Sequence, residues 1–182
     1  MTTVPSPAQL GGRSLERVVY AEEEIRRRVE ALAREITEAY GPEDELLVVG
    51  LLKGSFIFLA DLVRRIEIPL QVDFLVAVSY GAGMASSGEV RLLYDPEARL
   101  TGRAVVVVED IVDSGTTLNR ILPLLAARGP KSLELCALLH KRRVRLDPEP
   151  RWVGFEAPAE FLVGYGLDHR EELRHLPYIA SL

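Results

Sequence analysis

The chain has 182 residues, 48% hydrophobic and 27% charged, with a formal net charge of −5. That length suits one domain with a substantial core, and the acidic balance argues against nucleic acid or an anionic membrane as a partner. No apolar run approaches the roughly 18–20 residues of a membrane span, Met1 to Gly12 lacks the features of a secretory signal, and the single cysteine, Cys136, sits in an apolar run as a core residue, which together imply a cytoplasmic protein.

Residues 1–14, rich in proline and glycine, read as a mobile tail. Leu15 to Tyr20 suits a short strand. From Ala21 to Tyr40, Ile25, Val29, Leu32, Ile36 and Ala39 recur at helical spacing with Glu and Arg between them, and Gly41-Pro42 stops the pattern. Leu46 to Gly50 is a short apolar strand leading into Lys53-Gly54-Ser55 and a helix from Phe56 to Ile66. Taken alone, a Lys-Gly-Ser turn reads as a surface turn, and the triphosphate-loop spacing is absent. Gln71 to Tyr80 forms the next strand. Residues 81–88 hold three glycines and two serines, the composition of a flexible loop. Glu89 to Tyr94 is a further strand, and Asp95 to Gly102 a loop.

The stretch Ala104 to Thr117 organises the rest. Residues 104–109 read as a strand, and its run Val105 to Val108 suits burial on both faces. Glu109, Asp110 and Asp113 then put three carboxylates within five positions, followed by Ser114, Gly115, Thr116 and Thr117 and a helical pattern from Leu118 to about Arg128. Backbone N–H groups at a helix start favour an anion, and Gly115 permits close approach. The carboxylates repel phosphate, so they must serve sugar hydroxyls, a metal or a proton. The stretch describes a ligand with phosphate at one end and hydroxyls or Mg²⁺ at the other. Beyond it, Ser132 to His140 is a strand followed by Lys141-Arg142-Arg143. Residues 147–158 form a proline-rich connection around a short strand at Trp152 to Phe155. Strands alternating with helices give an α/β fold with a central parallel β-sheet flanked by helices. Ligands in such sheets bind at the carboxyl ends of the strands, so the Lys53 loop, Ser79-Tyr80, the Asp113 turn and Lys141 share one rim. Segments 15–20 and 150–182 are left over to form a small hood within the same single domain.

E-D-I-V-D-S-G-T-T resembles the phosphoribosyl-diphosphate (PRPP) motif of the type I phosphoribosyltransferases, and more narrowly of the hypoxanthine-guanine phosphoribosyltransferases. The likeness covers nearly the whole chain from about residue 17, through the Lys53 loop, Ser79-Tyr80 and the segment Phe161-Leu162-Val163-Gly164-Tyr165-Gly166-Leu167-Asp168. It implies transfer of a 5-phosphoribosyl group from PRPP to hypoxanthine or guanine, giving IMP or GMP and pyrophosphate, with Mg²⁺ as cofactor, in a homodimer or homotetramer.

By the same resemblance, Asp113 is the catalytic base toward the purine N7 proton, and Asp113, Ser114, Gly115, Thr116 and Thr117 hold the 5′-phosphate. Glu109 and Asp110 take the ribose hydroxyls, directly or through metal. Lys53, Gly54 and Arg174 bind pyrophosphate. In the family the peptide before that lysine is often cis. Ser79 and Tyr80 begin a lid over residues 81–88. Lys141 donates to the purine O6, Phe161 stacks on the base with Ile111 opposite, and Leu162 and Asp168 read its pyrimidine edge through backbone carbonyls. Asp168 is also a metal ligand, with Glu109 and Asp110. The three histidines match no catalytic position and are expected to be surface or structural. A different class, a nucleotide-sensing regulator that binds RNA or DNA on the same fold, is disfavoured by the acidic charge, by the lack of a basic, aromatic-rich stretch and by the retained Asp113.

Overall fold

The two most apolar runs of the chain lie side by side at the centre of the molecule. In the computed structural model, which describes residues 10, 14–79, 90–141 and 143–182, Leu46–Leu52 (β2) pairs in parallel with Ala104–Val112 (β5). Alternation along these strands divides the core in two. Val48, Val106 and Val108 face helices Glu22–Ala39 (α1) and Phe56–Val63 (α2). Leu47, Val49, Val105 and Val107 face Leu118–Ala126 (α3). A strand covered by helices on both sides has no solvent face, which is why its sequence is continuously apolar.

The main sheet is completed by Leu70–Ser79 (β3), Val90–Tyr94 (β4), Ser132–His140 (β6) and Trp152–Glu156 (β7), in the order β4-β3-β2-β5-β6-β7. Every pairing is parallel except that of the edge strand β4 with β3. A second, antiparallel sheet joins Arg17–Tyr20 (β1), Ile179–Ser181 (β9) and Leu162–Val163 (β8), in the order β1-β9-β8. Tyr20 ties the sheets together. Its ring stacks on Phe155 of β7 at 4.2 Å, and its hydroxyl donates to the Glu156 carbonyl at 2.5 Å.

Helix α1 buries Ile25, Val29, Leu32, Ala33 and Ile36, one stripe at helical spacing. Its first turn carries Glu22, Glu23 and Glu24, which suit the positive end of the helix dipole, and Glu24 accepts from the Ala21 N–H at 2.9 Å. From its flank Arg28 reaches edge strand β7, donating to the carbonyls of Val153 at 2.6 Å and Gly154 at 3.0 Å.

Several boundaries differ from expectation. β5 continues past Glu109, its expected end, to Val112, so Asp110 as well as Glu109 lies on a strand. Helix α2 ends at Val63, short of Ile66, because the chain turns there to bury Ile66 in the core ahead of Pro69. Helix α3 ends at Ala126, and Gly129 follows in the left-handed conformation, φ 70°. Trp152–Glu156 belongs to the main sheet, not to the hood, which starts beyond it. Leu10, within the expected mobile tail, is buried against Val163, Leu173, Leu176 and Tyr178. Tyr80 and the expected lid over residues 81–88 lie outside the described residues, as does the side chain of Ser79. Among the described residues no helix is long and apolar enough to cross a membrane.

Candidate active site

Three neighbouring parallel strands, β2, β5 and β6, end on one rim, and each delivers a chemically distinct loop there. After β2 the Leu52–Lys53 peptide is cis. The loop it opens is pinned by the buried hydroxyl of Ser55, which donates to the Leu51 carbonyl at 2.7 Å. Gly54 faces strand β5 so closely that a side chain there would overlap the Asp110 carboxylate.

After β5, residues Asp113–Thr117 turn into α3. Gly115 has φ 71°, a conformation glycine adopts without strain. A Cβ there would also press on Leu146 and Val144. The Asn119 N–H donates to the Gly115 carbonyl at 2.8 Å, and the Ser114 hydroxyl donates to Thr116 Oγ1 at 3.1 Å. Between the two loops lies a cavity of about 250 Å³. Lys53 and Gly54 form one wall, Glu109 to Asp113 the floor, and Ser114 to Thr117 the other end.

The floor is electrostatically unbalanced. Glu109 is 8% exposed, and burial, reinforced by the hydrogen bond and negative charge of Asp110, pushes its carboxyl well above the usual range. The Asp110 N–H donates to Glu109 Oε1 at 3.3 Å. Two adjacent carboxyls in this state suit a cation or ribose hydroxyls brought by a ligand.

After β6, Lys141 turns back to β5. Its N–H donates to the Val112 carbonyl at 3.0 Å, and its ammonium contacts Asp113 Oδ1 at 2.6 Å. Asp113 and Lys141 also border a second cavity of about 430 Å³, with Arg143, Val144 and the Glu156–Ala159 segment. Asp113 thus stands at the junction of two spaces, one also lined by the Ser114–Thr117 turn and the other by Lys141.

The C-terminal segment packs against the Lys53 loop. Arg174 contacts Asp168 Oδ1 at 2.9 Å and donates to the Gly166 carbonyl at 2.8 Å. Gly166, with φ 103°, lies against the Gly54 carbonyl, and a side chain at Gly166 would overlap it. Tyr165, also left-handed, is fixed from behind by its hydroxyl, which donates to Asp61 Oδ2 on α2 at 2.8 Å. Phe161 is 55% exposed, and its ring meets the edge of His169 at 5.6 Å.

The first cavity therefore gathers Lys53, Gly54, Glu109, Asp110, Ile111 and Asp113 to Thr117. Lys141 joins through Asp113, and Asp168 and Arg174 join through Glu171, which contacts both Lys53 and Arg174. The Leu162 side chain is buried in the core rather than turned to the site. Glu109, Asp110 and Asp168 do not converge on one point: among the described residues no group of three or more acidic, histidine or cysteine side chains could hold a metal. Sequence reading missed Glu171, although it lies between Asp168 and Arg174, both singled out. It missed the Asp61–Tyr165 contact too, which no local pattern announces.

Residues 18–170 match the phosphoribosyl transferase domain, and the chain belongs to that family. Within it, the chain is similar to the hypoxanthine phosphoribosyltransferase of Salmonella typhimurium, 46% identical over 91% of this chain and 94% of that protein. It is likewise similar to the hypoxanthine-guanine phosphoribosyltransferase of Aquifex aeolicus, 44% identical over 94% of this chain and 96% of the relative. Among solved structures, a hypoxanthine phosphoribosyltransferase from Staphylococcus aureus superposes with a TM-score of 0.87 at 42% identity, covering 92% of this chain and 91% of that one.

Proposed function

We propose that the protein transfers the 5-phosphoribosyl group of PRPP to hypoxanthine or guanine, releasing pyrophosphate and giving IMP or GMP. The observation that carries this reading is the 2.6 Å contact of Lys141 with Asp113 at the junction of the two cavities. In the reaction, the purine N9 lone pair forms the bond to C1′ as the C1′–pyrophosphate bond breaks, and the N7 proton passes to a carboxylate oxygen of Asp113. Lys141 would leave Asp113 for the purine O6. An ammonium offers only donors, so it accepts a 6-oxo group and meets the adenine amino group donor to donor. The exposed ring of Phe161 offers a face for the base, with Ile111 opposite, and the backbone carbonyls of Leu162 and Asp168 serve its far edge.

Ser114 to Thr117 would bind the 5′-phosphate through N–H groups and hydroxyls. Glu109 and Asp110 would take the ribose hydroxyls, and Lys53, the Gly54 N–H and Arg174 the pyrophosphate. The unbalanced Glu109–Asp110 pair fits Mg²⁺ held by carboxylates together with substrate oxygens rather than by a protein cage, with Asp168 as the ligand of a second ion. Bound there, Mg²⁺ would neutralise charge developing on the leaving group. Ser79 and Tyr80 would begin a lid that excludes water during transfer.

The enzyme would work in the cytoplasm as a homodimer or homotetramer. Val72 and Phe74 of β3, with Tyr94 of β4 and Phe56 of α2, leave large apolar side chains exposed around one edge of the sheet, as a subunit contact would use.

The test is kcat/KM for hypoxanthine, guanine, xanthine and adenine with PRPP, in the native protein and in Lys141→Gln. The native protein should use the 6-oxopurines and reject adenine, and the variant should lose that discrimination by about 10²-fold. An unchanged hypoxanthine-to-adenine ratio would remove Lys141 from base recognition, and no turnover of any 6-oxopurine would overturn the reading.

A further inference from the structure

Phosphoribosyl transfer as derived above gives Glu171 no task, yet this residue lies at the centre of the cationic side of the site. Its Oε2 accepts from Lys53 Nζ at 3.0 Å and from Arg174 Nη2 at 3.2 Å. One carboxylate oxygen thus joins two cations from distant parts of the chain. The backbone around it is unusual. Arg170 and Glu171 have φ of 54° and 66°, and Leu173 has 73°, conformations that side-chain-bearing residues seldom adopt outside constrained sites. The Glu171 N–H donates to Asp168 Oδ2 at 2.8 Å. This turn holds the carboxylate toward Lys53.

The arrangement resembles an occupied anion site in which the anion belongs to the protein. A pyrophosphate oxygen bound by Lys53 and Arg174 would need the same two donors that Glu171 Oε2 now takes. Both Lys53 and Glu171 are about two-thirds exposed, at 66% and 65%, so the contact is solvated and easily exchanged. Arg174 has two further contacts, to Asp168 and to the Gly166 carbonyl, that do not involve Glu171.

We propose that Glu171 is an internal counter-anion of the pyrophosphate subsite, holding Lys53 and Arg174 while the subsite is empty and competing with pyrophosphate for them. The inference rests on the assignment of those two cations to pyrophosphate under the proposed function. Being tethered, the carboxylate competes at a fixed local concentration whatever the bulk composition. It orders two flexible cations before substrate arrives, and by displacing pyrophosphate from them it speeds departure of the product.

The experiment is a calorimetric titration with inorganic pyrophosphate at a fixed excess of Mg²⁺, and separately with IMP. It uses the full chain as native protein, Glu171→Gln, Arg174→Gln and Lys53→Gln. Glutamine keeps the shape and removes the charge. Glu171→Gln should tighten pyrophosphate by about two- to tenfold, the scale of one or two solvated ion pairs, and leave IMP unchanged, since the proposed function gives Lys53 and Arg174 to pyrophosphate and not to the nucleotide. A merely structural role cannot produce that gain. Unchanged or weaker pyrophosphate binding in Glu171→Gln, alongside clear loss in Arg174→Gln, would overturn the counter-anion and leave the subsite assignment standing. Equal tightening of IMP would reveal a general charge effect and also overturn it. Pyrophosphate binding indifferent to both Lys53→Gln and Arg174→Gln would overturn the assignment itself, and the inference with it.

Discussion

Replacing Gly54 by alanine tests how tightly the Lys53 loop is fitted to β5. Gly54 is not among the left-handed glycines, so alanine carries no backbone penalty, and the effect is steric. The added Cβ would overlap Oδ2 of Asp110 and crowd its carboxylate carbon. Overlaps of this kind cost about 1–3 kcal/mol where the surroundings cannot yield. Here the yielding group is the end of a short, half-buried side chain at the rim of the site, so relief should come from Asp110 swinging away. The cost then falls on the ligand. Spent entirely on lost ribose contacts, it raises KM for PRPP by about 5- to 150-fold. The hypoxanthine KM should change far less, and the thermal midpoint should fall by less than about 4 °C. In an Asp110→Ala background the clash partner is gone, so Gly54→Ala should add almost nothing, a strong non-additivity between touching residues. Steady-state kinetics on the four proteins and a thermal melt decide the matter. A PRPP KM within about twofold of native, or full additivity of the two substitutions, would refute the reasoning.

Asp113→Asn should lower kcat by about 10²-fold or more, the scale of a lost general acid–base group, with a smaller change in PRPP affinity measured by titration. Turnover should cease in excess chelator and return on adding Mg²⁺; full activity without divalent cation would contradict the reading of Glu109 and Asp110. Arg28→Met should destabilise the fold by about 1.5–2.5 kcal/mol, since two charge-assisted bonds to β7 carbonyls are lost from a largely buried arginine. That corresponds to a thermal midpoint lower by about 3–10 °C, and a shift under a degree would mean the β7 edge is satisfied without Arg28.

How much of this was legible depended on whether the signal was local. Val105 to Val108 suited a strand buried on both faces, and the α1 stripe from Ile25 to Ile36 suited a helix packed on one side. The turn Asp113 to Thr117 carries its chemistry in consecutive residues, and it lies where it was expected, beside Lys53. The acidic pair was legible as chemistry but not as structure. The residues after Glu109 read as a turn, whereas pairing with β6 carries β5 on to Val112, and the burial that raises the Glu109 carboxyl has no local signal in the sequence. The short strand expected at Trp152 to Phe155 was grouped with the hood because a few residues among prolines say nothing about which strand they will pair with; the Arg28 side chain and the β6 edge decide it. Glu171 escaped because a run of charged residues reads as a solvated face, and its partner Lys53 lies far away in the chain. The Tyr165–Asp61 bond escaped for the same reason.

The hood sheet also constrains when the site can come into being. Its central strand is β9, flanked by β1 near the start of the chain and β8 near the end. Residues 17–20 must therefore wait, unpaired, until residues 179–181 have been made. Closing so long a loop is entropically unfavourable and slow compared with the local pairings of the main sheet. During synthesis, then, the Lys53 loop and the Asp113–Thr117 turn can come together while the segment that carries Phe161, Asp168 and Arg174 is still being made. The first cavity would take shape in a nascent chain before the second sheet does.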